Sequence, residues 1–388
     1  MRIPAELELV AACCRWPPSP EREAAVAGAA ARIIDWERLY TVAARHRVEA
    51  LVHDGLTRAA VPVPPPVQGR LAADARLTAA QNLVFAREAG RVKDALAAAG
   101  IAMLFLKGST LGVLAYGSLA HKQAIDIDIA VPPDRHMEAA EILIGLGYEC
   151  VAPHVGATPE DLLDWTRRIK DTGWQRGGIK VELHARLVDS EKMLAGVSAL
   201  SPARLVDVGS GIRLPTLQQD ELFAYLCVHG ATHGWCRLKW IADVAALLKD
   251  CSGADLDRLY RRSIALGAGR TGGQALLIAA DLLAMRLPEA LERELRADRP
   301  TRYLAHVARG EILRGGGAEG FEGTVLGTVP LHLSHMWLMG GWAFKASELK
   351  RKLAMHGGGE GAGRFGLVSA ALGGPKWLLA RMRLRKRA

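Results

Sequence analysis

Residues 125–131 read Ile-Asp-Ile-Asp-Ile-Ala-Val, and this short run constrains the fold more than any other part of the chain. Its first five residues alternate apolar and acidic with the period of a β-strand. Ile125, Ile127 and Ile129 therefore share one face, and Asp126 and Asp128 the other. Pro132 and Pro133 stop the strand before a helix from about Asp134 to Leu146, which Gly147 closes. Two carboxylates at i and i+2 sit roughly 6–7 Å apart at their β-carbons, so their oxygens can converge on divalent cations. Acidic pairs also line the solvated faces of half-buried strands, so the surroundings carry the argument.

Upstream, a helical segment from about Leu71 to Ala99 ends at Gly100, and Ile101 to Leu106 is an apolar run of strand length. Lys107-Gly108-Ser109 then turns the chain into a helix over Thr-Leu-Gly-Val-Leu-Ala-Tyr, with Ser109 or Thr110 as its cap. Free N–H groups and a hydroxyl at such a helix start can hold the terminal phosphates of a nucleotide. Downstream, Tyr148 to Val151 reads as a short strand, followed by a polar insertion. Lys180 to His184 alternates again, placing Glu182 and His184 on one face and supplying a third carboxylate. Two hard cations about 3.5–4 Å apart are the usual clamp for phosphoryl or nucleotidyl transfer.

Around this core the pattern is helical. Asp35 through Leu56 spaces Trp36, Leu39, Val42, Ala43, Val48 and Leu51 along one helical face, and the proline-rich stretch at 61–67 breaks it. Thr216 followed by Gln219 has the form of a capping box, opening a helix through Tyr225 and His229. The chain stays helical to about Leu287 and then continues in pieces separated by glycine runs at 315–317 and 357–359.

With these residues in place, the sequence resembles the nucleotidyltransferase superfamily of DNA polymerase β. It is similar in particular to a poorly characterised bacterial branch marked by a Leu-Lys-Gly turn. The matching residues are Leu106-Lys107-Gly108-Ser109, Tyr116, Asp126-Ile127-Asp128, Gly147-Tyr148, Glu182-Leu183-His184, and His229, His233, Trp235, Arg237, Leu238, Trp240 and Asp243. The resemblance implies an α+β fold, a small mixed nucleotidyltransferase sheet with helices, flanked by helical N- and C-terminal parts. It implies that Asp126 and Asp128 bind two Mg²⁺ ions, with Glu182 on the metal that activates the acceptor or acting as its base. Gly108 and Ser109 would hold the β- and γ-phosphates of a nucleoside triphosphate, with Lys107 a further phosphate contact. Two departures stand out: Ser109 lies seventeen positions before Asp126, and Lys122 stands where the branch often has arginine. Lys122 keeps the charge but not the bidentate fork, so a nucleotide contact there would be looser.

His229 and His233, four apart and flanked by Cys227 and Cys236, invite a zinc reading. On a helix, however, Cys227 would point about 120° from His233 and about 160° from His229. Buried structural histidines, or a grip on substrate shared with His184 and Arg237, fit the spacing better, and Asp243 would orient an imidazole or pair with Arg237.

Of the 50 Lys and Arg in the chain, eleven lie from Lys345 onward, against only Glu348 and Glu360 among the 41 acids. The preceding part is therefore balanced at 39 of each, which argues against a nucleic-acid partner. The basic tail, from Lys376 to Arg387, suits peripheral contact with an anionic membrane or an acidic partner. Residues 323–344 lack any formally charged side chain, but Pro330, His332, His335 and the glycines fit a buried or membrane-surface segment better than a membrane span. Dispersed cysteines, and Glu6 and Glu8 near the start, suit the cytoplasm. The expected organisation is a helical part over 1–99, a catalytic core over 100–190, a helical part over 191–345, and a glycine-rich linker with the tail over 346–388. The expected activity is Mg²⁺-dependent transfer of a nucleoside monophosphate to a hydroxyl or phosphate acceptor, whether small molecule, glycan or peptide. Relatives in the branch are associated with exopolysaccharide and lasso-peptide biosynthesis. Two rivals stay open: a non-catalytic adaptor of the same fold, and an antitoxin-like enzyme that modifies a protein or tRNA.

Overall fold

The structure, a computed structural model, describes residues 3–33, 35–319 and 329–356. It opens with helices α1 (Ala5–Cys13), α2 (Pro20–Ala30), α3 (Trp36–His46) and α4 (Glu49–Arg58), followed by the long α5 (Pro65–Ala98). The helical run expected over Asp35–Leu56 falls into two helices. Arg47 turns left-handed at φ 55°, and the Val48 N–H bonds back to the Ala43 carbonyl at 3.2 Å, a C-terminal cap that ends α3.

The centre follows as β1 (Leu104–Phe105), α6 (Ser109–Tyr116), β2 (Ile127–Ala130), α7 (His136–Gly145), β3 (Glu149–Ala152), α8 (Pro159–Arg168), β4 (Asp171–Arg176) and β5 (Ile179–His184). These strands form one mixed sheet in the order β1-β2-β5-β4-β3. Only β2 and β5 run parallel; every other pairing is antiparallel. The expected α+β architecture is therefore present. The polar insertion hides two elements: α8, started by a Thr158/Asp161 capping box, and β4, which inserts between β3 and β5 and buries Trp174 completely. Ile127 and Ile129 pack into an apolar core with Val92 and Leu96 of α5, whereas Ile125, before the strand begins, is 47 % exposed.

A two-stranded ribbon, β6 (Ala203–Asp207) and β7 (Arg213–Leu217), lies beside β1. Thr216 belongs to this ribbon and caps nothing: its buried hydroxyl donates to the Phe105 carbonyl at 2.6 Å. The helix after it, α9 (Gln219–Thr232), starts without a side-chain cap. Satisfying a buried carbonyl on the short edge strand outweighs the local capping preference.

The remaining helices are α10 (Leu238–Leu247), α11 (Gly253–Ala265), α12 (Gly269–Leu283), α13 (Glu289–Ala297), α14 (Arg299–Leu313), α15 (Val329–His335) and α16 (Trp342–His356). The N-terminal and C-terminal helices share one apolar core, in which Leu7, Val42 and Leu51 join Phe223, Trp235, Leu276 and Ile312. Helix α16 crosses residue 346, the boundary expected before the linker and tail. The tail from 357 onward and residues 323–328 lie outside the described residues. No helix among the described residues is long and apolar enough to cross a membrane.

Candidate active site

The sheet register brings the acids together. Asp128 on β2 and Glu182 on β5 are direct partners across the parallel pair, so both side chains leave the same face. The Leu106 N–H bonds to the Asp128 carbonyl at 3.1 Å, which holds the end of β1 against β2 and sets the following turn beside the acids. At that turn Gly108 has φ 63° and ψ −126°, a conformation that requires glycine. Gly108 itself takes the cap position of α6, and Ser109 is the first helical residue. The expected hydroxyl cap is not made, because the Thr110 hydroxyl donates backward to the Lys107 carbonyl at 3.0 Å.

Lys107 Nζ lies 2.8 Å from Asp128 Oδ1, and His184 Nε2 lies 3.3 Å from the same oxygen. Glu182 Oε2 is 3.8 Å from His184 Nε2. On the other side of the imidazole, Lys170 Nζ comes within 3.5 Å of Nδ1 and pairs closely with Asp171. Burial and the Lys170 charge hold His184 below its ordinary pKa. A neutral ring with its proton on Nε2 can then donate to Asp128 and accept from Lys170.

Burial would raise the Asp128 pKa, but Lys107 and His184 outweigh it and hold the carboxyl well below the usual range. Lys107 shows the complementary balance: burial lowers it, and Asp128 with Tyr225 and Asp126 more than restores it. Burial and the Asp128 charge push Asp126 up, and burial with both aspartates pushes Glu182 up to about 7. The site thus carries more negative charge than its touching ammonium offsets.

Two observations test whether these residues suit a divalent cation. Asp128, Glu182 and His184 each offer a ligand atom, all within 4.8 Å of one another, and Asp128 Oδ2 is buried without a hydrogen-bond partner. An oxygen-rich set with excess negative charge fits a hard divalent cation. Among the described residues no other such group occurs, so Cys227, His229, His233 and Cys236 do not gather into a zinc site.

A cavity of about 560 Å³ opens over the acids. Of the residues singled out in the sequence, Lys107, Gly108, Lys122, Asp126, Asp128, Glu182, His229, His233 and Arg237 line it. Ser109 and His184 do not; both are buried behind the wall. The two histidine rings lie 4.6 Å apart, and Trp240 stacks on His233 at 5.3 Å. Burial first, then Lys107, holds both rings neutral, His233 at about 4.

Lys122 donates to Asp243 at 2.6 Å, and the Tyr116 hydroxyl donates to the other Asp243 oxygen at 3.0 Å. Asp243 therefore serves neither Arg237 nor an imidazole. Arg237 instead donates to the Arg45 carbonyl.

The cavity also has cations that the sequence did not single out: Arg47, Lys170, Lys239 and Arg351. Burial, then Lys122 and Arg47, pulls Lys239 down to about 7. Only the left-handed turn after α3 brings Arg47 here, and no local pattern marks it. Lys170 and Asp171 lead into β4, whose residues Asp-Thr-Gly-Trp-Gln-Arg do not alternate, so no local pattern marked them.

A family model described as an uncharacterised nucleotidyltransferase matches residues 33–284, well over half of the chain. No curated protein matches it.

Proposed function

The chain belongs to this family of uncharacterised nucleotidyltransferases, and from that premise we propose that it moves a nucleoside monophosphate from a nucleoside triphosphate to a hydroxyl or phosphate acceptor, in the manner of the DNA polymerase β superfamily. The observation that carries the reading is the convergence of Asp126, Asp128 and Glu182 on one cavity whose wall also holds Arg47, Lys107, Lys170 and Lys239. Acids for a cation and bases for a polyphosphate then face the same space.

In this reading Asp126 and Asp128 would hold two Mg²⁺ ions with Glu182 as a further ligand, and the metal would there neutralise the triphosphate and acidify the attacking hydroxyl. Asp128 presents its unpartnered Oδ2 while Lys107 keeps Oδ1. The Gly108 turn offers backbone N–H groups to the β- and γ-phosphates, Arg47 supplies further positive charge, and Lys239, drawn down to about 7 by burial, gains its proton beside a polyphosphate. The acceptor oxygen bonds to the α-phosphorus as the bond to the bridging oxygen breaks. Pyrophosphate leaves with that electron pair, and the acceptor proton passes to Glu182 or to water. Residues 100–190 act as the catalytic core and 191–345 form the acceptor side. The Leu-Lys-Gly branch suggests a biosynthetic acceptor, a peptide such as a lasso peptide or a glycan.

Isothermal titration with each ribonucleoside triphosphate, with and without Mg²⁺, tests this. Metal-dependent binding that disappears in Asp126→Asn/Asp128→Asn supports it and identifies the base; a folded protein that binds none of the four overturns it in favour of an adaptor.

A further inference from the structure

Helix α16 has two unlike faces. Phe344, Glu348 and Arg351, at i, i+4 and i+7, line the cavity and form part of its roof. Trp342, Lys345 and Leu349, at i, i+3 and i+7, form a second face about 120° round the same helix. Trp342 is 83 % exposed and Leu349 47 %. The turn after α15 adds Trp337, also exposed, with Leu333 four residues before it. Lys345 Nζ stands 3.9 Å from the Trp337 ring centre and 4.8 Å from that of Trp342, so the two indoles and the ammonium form one patch. Arg270 reaches its edge, donating to the Trp337 carbonyl at 3.1 Å.

We propose that this patch docks on the surface of an anionic lipid bilayer. Exposed tryptophans with leucines at helical spacing, and a lysine whose ammonium stands over the rings, suit the headgroup level of a membrane, where indoles sit half wet and a cation meets phosphate. Charge selects this occupant. From Lys345 to the C-terminus eleven Lys or Arg stand against two acids, and residues 357–388 continue directly from α16. That segment is itself cationic, so it does not complement a patch bearing Lys345 and Arg270, and a second copy would set like charges together. An anionic surface complements the patch and the segment together.

Docking does not depend on the nucleotidyl-transfer reading. If that reading holds, a consequence follows: the helix that touches lipid with one face roofs the cavity with the other, so a membrane-anchored acceptor would meet the cavity from this side.

The test is co-sedimentation of the full chain with vesicles of phosphatidylcholine alone and with added phosphatidylglycerol. Binding is expected only with the anionic lipid and should weaken with salt. Trp337→Ser/Trp342→Ser, and separately Lys345→Glu, should each lower the vesicle-bound fraction roughly tenfold. None of the three residues lines the cavity, so triphosphate binding and the thermal midpoint should be unchanged and serve as folding controls. No sedimentation with either vesicle overturns the proposal, as does binding unaffected by both variants, which would assign it to the tail alone. A dimer seen by sedimentation velocity without lipid, and abolished by the tryptophan variant, overturns it in favour of self-association. Loss of triphosphate binding in the wild-type chain with docking intact would count against the activity and not against the patch.

Discussion

Asp128 and Glu182 occupy the same register position on neighbouring parallel strands, so two carboxylates face each other where a sheet ordinarily avoids like charges. Lys107 offsets one of them, and the other is left near neutrality by burial and its neighbours. This unresolved charge sets the behaviour expected of the site.

Asp126 and Asp128 should separate stability from binding. Asp128→Asn leaves the buried Lys107 ammonium without its counter-charge and should cost about 3–5 kcal/mol in denaturant unfolding. Asp126 has no ion pair among the described residues, and burial with Asp128 already disfavours its charge, so Asp126→Asn should leave stability unchanged or slightly raised. Both should abolish Mg²⁺-dependent triphosphate binding by calorimetry. Retained binding in both variants would refute their role.

Glu182 should make metal affinity depend on pH. Its pKa is raised from 4.5 to about 7, so the folded chain holds a proton that the unfolded chain releases between those values. Without metal, this group's contribution to stability is therefore lost as pH rises through that window. A cation needs the carboxylate, so Mn²⁺ affinity should climb toward pH 7 and then level off. Glu182→Gln should flatten the profile; an unchanged slope in that variant would assign the proton elsewhere.

His46 should make the helical core sensitive to acid. It is fully buried, accepts the Leu238 N–H at 3.0 Å, and is lowered from 6.5 to about 3 by burial first, then by Arg45. The unfolded chain takes up this proton and the folded chain refuses it. Stability should thus fall by about 1.4 kcal/mol per pH unit below 6.5 from this group alone. Denaturant midpoints between pH 7 and 5 would show it, with a shallower decline in His46→Gln.

Lys122 and Asp243 should behave as one unit. Both are buried and 2.6 Å apart. Lys122→Met or Asp243→Asn alone should destabilise by about 3 kcal/mol, because each strands a buried charge. The double variant should lose less than the sum in a double-mutant cycle. Additive losses would show that the contact carries no coupling.

Much of the site was legible in local pattern. Period-two alternation marks the strands bearing Asp128, Glu182 and His184, although Asp126, expected on the same strand as Asp128, lies just before β2 begins; Gly108 marks the turn, because a backbone at positive φ strongly selects glycine. The family resemblance ordered these pieces. Local pattern misled where a distant partner competed for the same group, as when the Thr216 hydroxyl turns to Phe105 and Asp243 to Lys122 and Tyr116.

The sequence by itself determined which short segments are strands, turns and helices and which carry carboxylates, since φ/ψ preference and apolar period act within a few residues. Tertiary structure alone decided that β2 and β5 pair in parallel with Asp128 opposite Glu182, that Arg47 and Lys239 join the wall, and that α16 roofs the cavity. Those outcomes rest on burial and charge pairing between residues tens to hundreds of positions apart, a cooperative free energy that no local window contains.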